Sequence, residues 1–338
     1  MWLFWYRAAV SRLVSFSLLL AFVGACSDSA DGDENASSEG EASSEGEGSG
    51  SEESGSEEGG GPLEGELFGL LTVTHYPEDA AGFPEVVELA AGLRSEPFEG
   101  VEDFVSIVHL QTTFAPPGGA ADELIVGPVA TPWSFEPAES WLLAGDGITL
   151  RGRSEASLGS SINGCRRSLG NFSEFPVYLT GGEEAPEICR SDAQGYVGAS
   201  DYELVVFGAS LFEDEVAPEA LAAPEPFTVS APDIEVFDLQ VDRGQALDLA
   251  WTSPELDELP EGSEGRFVVR LWDESGTIAT VLAEDDGELT IPSEVLMQFE
   301  VGLATITFAR ETLARASLSV GSVDVLMREE HWGYLELF

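Results

Sequence analysis

Ala246-Leu247-Asp248-Leu249-Ala250-Trp251 and Arg266-Phe267-Val268-Val269-Arg270-Leu271-Trp272 decide the fold. Successive side chains of an extended chain point to opposite faces. Leu247, Leu249 and Trp251 therefore share one face, with Asp248 and Ala250 on the other. Phe267, Val269 and Leu271 likewise oppose Arg266 and Arg270. This period of two predicts strands with one buried face. Leu303 to Ala309 repeats it, with Ala304, Ile306 and Phe308 in step. Thr277 to Ala283 and Glu288 to Ile291 flank Asp285-Asp286-Gly287, a turn sequence that predicts a β-hairpin. Pro292-Ser293-Glu294 opens a short helix running to Phe299.

Working toward the N-terminus, Leu67 to His75, Phe104 to Phe114, Gly147 to Arg151, Val177 to Thr180 and Tyr202 to Phe207 also read as strands. Val86, Val87, Leu89, Ala90 and Leu93 recur near helical spacing, which predicts a short helix over Glu85 to Leu93. Gly152 to Pro176 reads as a long connection. Four prolines, Pro218, Pro224, Pro226 and Pro232, mark Ala217 to Asp233 as an extended connector. No convincing repeat of 20 to 50 residues is present, which disfavours solenoids and propellers. The expected fold is all-β, with two tandem β-sandwich-like domains at 63–223 and 224–338. About seven strands in the second domain resemble an immunoglobulin- or fibronectin-like sandwich, with Trp251 as its buried strand tryptophan.

The first 62 residues differ in kind. Arg7 and Arg12 precede a largely apolar run, Leu13 to Val23, closed by Gly24-Ala25. That is a secretory signal, shorter than the roughly 20 residues of a membrane-spanning helix. Val23-Gly24-Ala25-Cys26 resembles the lipobox of bacterial lipoproteins, although Val23 stands where the family most often has Leu. The resemblance covers residues 1 to 26. It implies cleavage before Cys26 and lipidation of its thiol, so that membrane lipid is a partner and the location is the bacterial cell envelope. Ser27 after the cysteine implies sorting to the outer membrane. Multiple acyl chains make such an anchor lasting. Residues 1–25 are thus the signal peptide and 26–62 the lipidated cysteine with its tether.

Ser27 to Pro62 holds no Leu, Ile, Val, aromatic or basic residue, and twelve acidic ones. Such a composition cannot bury enough apolar surface to offset its ordering entropy, which predicts disorder. A neutral Gly/Ser chain of that length would span roughly 30–36 Å, and like charges extend it further.

The whole chain carries 14 basic and 63 acidic residues, a net charge of −49, with every basic residue an arginine. Removing residues 1–25 takes away Arg7 and Arg12 only, leaving −51. This field repels nucleic acid and excludes it as a partner. Salt adaptation and calcium binding are the two readings of the acidity. Once Cys26 is assigned to lipid, Cys165 and Cys189 remain as an even pair in an exported chain, and a disulfide is the default.

Candidate chemistry is sparse. The three histidines, His75, His109 and His331, fall on separate segments; His75 and His109 could face each other across paired strands. The chain lacks a nucleophile elbow, a His-Glu-x-x-His motif and a phosphate loop. No catalytic residue, cofactor or metal site is assigned, and the chain reads as a non-enzyme. Trp133, Phe135 and Trp141, in and after a Pro-rich loop, could form a stacking platform for a sugar or peptide. Asp285 and Asp286 are weak calcium candidates. The function expected is structural, adhesive or display, with a carbohydrate- or calcium-binding module as the alternative, a hydrolase ranking lower, and the glycan or protein ligand unidentified.

Overall fold

The structure is a computed structural model. It describes residues 66–78, 84–95, 122, 124–128, 145, 147–169, 172–181, 185–207, 214–236, 239–254 and 259–338. Cys26, the tether, His109, the Phe104 to Phe114 segment, Trp133, Phe135 and Trp141 lie outside these residues.

The chain is all-β. Its strands are β1 (Leu67–Tyr76), β2 (Val86–Arg94), β3 (Leu124–Pro128), β4 (Gly147–Gly152), β5 (Ser161–Leu169), β6 (Phe172–Leu179), β7 (Asp201–Val206), β8 (Glu215–Val216), β9 (Leu221–Ala222), β10 (Val229–Ala231), β11 (Leu239–Val241), β12 (Leu247–Trp251), β13 (Glu264–Asp273), β14 (Thr277–Ala283), β15 (Glu288–Ile291), β16 (Gly302–Leu318) and β17 (Gly321–Leu337). The single α-helix among the described residues, α1 (Ser293–Leu296), starts where Pro292-Ser293-Glu294 predicts it and ends at Leu296, short of Phe299. One sheet runs β3-β14-β13-β16-β17-β1-β2-β6-β5-β4-β7-β8, with β11 added to β17 and β9 to β7; a second runs β10-β12-β15.

Two apolar cores result. Leu247, Leu249, Trp251, Leu289 and Ile291 of the small sheet pack with Phe267, Val269, Leu271, Ala279, Val281, Ile306 and Phe308 of the large one. The period-two stretches thus deliver their apolar faces as expected. The other core gathers Leu71, Val73, Leu89, Leu150, Ile162, Tyr178, Tyr202 and Leu204, together with Ala316, Val323, Val325 and Met327. Here one sheet folds over and supplies both layers. Its far margin comes back to β16, where Glu219 accepts a hydrogen bond from the Ser317 amide at 3.0 Å and Glu215 takes up both the amide and the hydroxyl of Ser319.

Strand pairing crosses residue 223. β16 and β17 pair along their whole length, from Gly302 opposite Leu337 to Leu318 opposite Gly321. The first half of β17 runs parallel to β1, and its last three residues run parallel to β11. β16 pairs with β13 through Leu313, and its tip then enters the first core. β3 joins the outer edge of β14. One long hairpin therefore serves both cores, and residues 61–338 form one compact unit.

Four local expectations are corrected. Glu85 to Leu93 is not helical: Val86 to Arg94 is a strand between β1 and β6, and Leu89 to Leu93 are all buried. A strand covered on both faces loses its polar alternation, so its apolar positions mimic helical spacing. The expected long connection, Gly152 to Pro176, contains β5 and the start of β6, which form a hairpin. The proline-marked connector packs instead of running free, with Ala217, Leu221, Ala223 and Phe227 buried. Finally, β14 and β15 do not form a hairpin. β14 pairs with β13 and β3, β15 pairs with β12, and the turn between them hands the chain from one sheet to the other. Gly287 at φ +99° supplies the left-handed residue this crossing needs.

Candidate functional site

The concentration of chemistry lies where β1 and β11 diverge along the edge of β17. β1 stays paired up to His75 opposite Glu329, and β11 begins opposite Leu335. In the interval, Glu329 and His331 share one face of β17, because they are two residues apart. His75 lies beside Glu329, with Nδ1 3.3 Å from Oε2; its Nε2 is 2.9 Å from Oε1 of Glu85. Nε2 of His331 stands 3.6 Å from the other Glu329 oxygen, an ion-pair distance. One buried carboxylate is thus flanked by two imidazoles.

Each imidazole also reaches toward one core. His75 stacks on Tyr196 with centroids 4.3 Å apart, and Tyr196 belongs to the first core. His331 meets Phe227 edge-on at 4.5 Å, and Phe227 belongs to the second. Burial alone would push the Glu329 carboxyl up; interactions with His331 and His75 outweigh it and hold the group at about 2. Burial, with the Glu329 charge nearby, pushes the Tyr196 phenol well up.

The disulfide expected from cysteine parity is present. Cys165 on β5 bonds Cys189 in a 3-10 turn, with Cα atoms 5.8 Å apart. It fixes the start of the segment that carries Tyr196. Gln194 adds to the fixation, its Oε1 accepting from the Asn163 amide at 2.7 Å, and the Tyr202 hydroxyl donates to the Gly195 carbonyl and accepts from the Val197 amide.

Beside the histidines, Arg310 lies directly across the ladder from Glu329. Its guanidinium makes a two-pronged pair with Asp285, Nε to Oδ2 at 2.7 Å and Nη2 to Oδ1 at 2.8 Å. It also donates to the carbonyls of Thr252 and Glu225 and lies 5.0 Å from the Phe227 ring centroid. Trp251 Nε1 donates to the same Asp285 oxygen at 2.9 Å, and its indole stacks on Phe267 at 4.2 Å. Both oxygens of Asp285, a calcium candidate in the sequence, are therefore engaged within the fold. Asp286 stays at the turn, its carbonyl accepting from Ser253 and its carboxylate from the Glu288 amide.

A second ionic cluster occupies the opposite face of the sheet. Glu311 on β16 is buried and takes an ion pair from Arg266 and hydrogen bonds from Arg328, the latter at 2.6 Å, with Arg270 3.9 Å away. Burial would raise the Glu311 carboxyl, but Arg328, Arg266 and Arg270 hold it at about 2. Burial, with Arg328 close by, brings the Arg270 guanidinium down to about 10. Arg266 and Arg270 do alternate with apolar residues as the sequence predicts, yet Arg270 is almost wholly buried.

The pairing of His75 with His331 through Glu329 escaped sequence reasoning, which set His75 against His109. His75 and Glu329 are 254 positions apart. Only the alternating Glu329 and His331 hinted at a shared polar face. Among the described residues no group of three or more His, Cys, Asp or Glu is arranged to hold a metal ion, and no helix is long and apolar enough to cross a membrane.

No family model and no curated protein matches the chain. Among solved structures, the crystal structure of chicken CNTN1 FN1-FN3 domains aligns with 71% of this chain and 77% of its own, at 12% identity and a TM-score of 0.18, a likeness too slight to carry an argument.

Proposed function

We propose that the chain is a lipid-anchored protein of the bacterial cell envelope whose folded part serves in structure, adhesion or display. The observation that best supports a mechanical or display role is the shared hairpin. Seventeen residues of β16 and seventeen of β17 run through both cores. Two sandwiches joined by a flexible linker would hinge, whereas a continuous ladder transmits force and orientation from one core to the other. At the junction, Glu329 lies within ion-pair distance of both His75 and His331, which suits a fixed body on a tether.

The anchor part of the reading rests on Arg7, Arg12, the apolar run and Val23-Gly24-Ala25-Cys26 in that order. Its test is fractionation of cells expressing the wild type and Cys26→Ser. The wild type should sediment with membranes and the variant should be released as soluble protein; a variant still bound to membranes would overturn the anchor. Display is tested separately by protease treatment of intact cells. Cleavage within 27–62 that frees the folded part supports an outward-facing tether, and full protection in intact cells with cleavage after lysis places the protein on the inner side.

A further inference from the structure

We propose that the end of the second core farthest from Leu67 docks a cationic, amphipathic segment of another protein, an inference that rests on the display role proposed above. β1 begins opposite Gly321, at the tip of the long hairpin, whereas Gly302 and Leu337 pair at its other end. Seventeen residues at about 3.3 Å each put roughly 55 Å of ladder between the two ends. The chain leads from residue 62 into the first end, so the second is the one held away from the tether.

Apolar side chains gather in the open there. Met297 is 58% exposed, Val301 65%, Leu303 41% and Phe338 56%. Met297 directly follows α1, and Val301 and Leu303 flank Gly302 at the start of β16. Phe338 follows Leu337, its amide donating to the Val241 carbonyl and its carbonyl accepting from the Arg243 amide. Their chain neighbours Leu296, Phe299, Ala304 and Leu337 are buried in the second core. The exposed side chains therefore stand on a fixed base, which lowers the ordering entropy a partner must overcome. An apolar patch rimmed by polar groups is the mark of a protein-binding surface.

Charge selects the occupant. The stretches 239–247, 271–276, 292–304 and 334–338 that build this end hold six acidic residues and one basic, Arg243. Glu274, Glu294, Glu300 and Glu336 are exposed. Leu303 lies directly opposite Glu336, and the Glu300 amide donates to Asp273 at 2.8 Å, which sets Glu300 beside the end of β13. Arg243 turns inward, to the Phe299 carbonyl. A second copy would set these carboxylates against one another, and anionic lipid headgroups are repelled in the same way. The tether, with twelve acidic residues and no Leu, Ile, Val or aromatic, matches neither the apolar centre nor the acidic rim. A segment that brings Leu, Ile or Phe to the centre and Lys or Arg to the rim fits both. The field of a chain at −49 steers its basic groups in.

The experiment is isothermal titration calorimetry on the full chain carrying Cys26→Ser, which keeps acyl chains and detergent out of the assay. The probe is a synthetic amphipathic peptide of Leu and Lys; the controls are its Leu/Glu counterpart and polylysine. The Leu/Lys peptide should bind, and more weakly as NaCl rises toward about 0.5 M. Met297→Ser with Val301→Ser should weaken it by about tenfold or more, while polylysine, which has no apolar face, should treat both proteins alike. No binding of the Leu/Lys peptide, equal affinity for both proteins, or equal binding of the Leu/Glu peptide overturns the inference. So does a concentration-dependent dimer in sedimentation that the substitutions abolish, which would assign the surface to a second copy. If the paired variant does not fold by circular dichroism, Leu303→Ser replaces it under the same criteria. Failure of the display role shows separately, as full protease protection in intact cells, and leaves the binding measured on purified protein unchanged.

Discussion

Glu311→Gln tests the buried ionic cluster on the outer face of the large sheet. The wild-type carboxylate is fully enclosed by Arg266, Arg270 and Arg328, and its proton affinity is lowered from an ordinary 4.5 to about 2. Each unit of such a shift corresponds to about 1.4 kcal/mol of preference for the charged form in the folded state. The interaction should therefore contribute on the order of 3 kcal/mol at neutral pH, the range seen when one partner of a buried pair is removed. The sign is fixed by the depression: stability is fully present above pH 4.5 and is lost as pH falls toward 2. Gln keeps the volume and one acceptor oxygen, so packing changes little, while three guanidiniums lose their counter-charge. Urea unfolding at pH 7 should show the variant weaker by about 3 kcal/mol. Repeated at pH 3.5, 3.0 and 2.5, the gap to the wild type should shrink steadily. An equal gap at pH 7 and pH 2.5 would falsify the electrostatic reasoning and assign the loss to packing.

Four further outcomes follow from the geometry. Asp285→Ala strips a buried arginine of its counter-charge and Trp251 of its acceptor, so it should cost about 3–5 kcal/mol in chemical denaturation, against about 0.5 kcal/mol or less for Asp286→Ala at the turn; equal losses would contradict the inward role of Asp285. A Cβ at Gly321 would stand 1.9 Å from the Leu67 carbonyl oxygen; Gly321→Ala should therefore lower stability by about 1–3 kcal/mol and raise hydrogen exchange along β1, and unchanged exchange there would disprove the close approach. Replacing Cys165 and Cys189 by serine opens a link across 24 residues and should lower stability by about 3 kcal/mol; thiol labelling of the unreduced wild type should find no reactive pair. For a chain of charge −49, the melting temperature should climb with NaCl toward about 1 M as screening relieves self-repulsion, and a flat response would remove the salt-adaptation reading.

Much of the second core was legible because its strands are half-buried. Leu247, Leu249 and Trp251 alternate with exposed or half-exposed neighbours, and the pattern names the inner face directly. Val86 to Leu93 was not legible, because β2 is covered on both sides and its small apolar residues leave no alternation to read. The Asp285-Asp286-Gly287 turn misled for another reason. Turn chemistry specifies a reversal of the chain but not which strand lies beside the next one; the inward side chain of Asp285, clamped by Arg310 and Trp251, fits a crossing between sheets. Arg270 and Glu311 look like solvent-facing alternates until the tertiary structure covers their face.

The junction site was invisible for a topological reason that also explains its composition. A parallel pair such as β1 and β17 has no turn to fix its register, so register must come from the side chains. A slip by one residue would take Leu71 and Val73 out of their core and turn them to the opposite face, where Thr72 and Thr74 are buried. A slip by two keeps the faces and is the more dangerous error. It would set His75 opposite Met327 or His331 in place of Glu329, leaving a buried carboxylate without its cross-strand partner at a cost of several kcal/mol. Apolar residues at 75, 329 and 331 would fill the branch point equally well in either register. The ionic trio distinguishes them, and in doing so it fixes how the long hairpin passes from one core to the other.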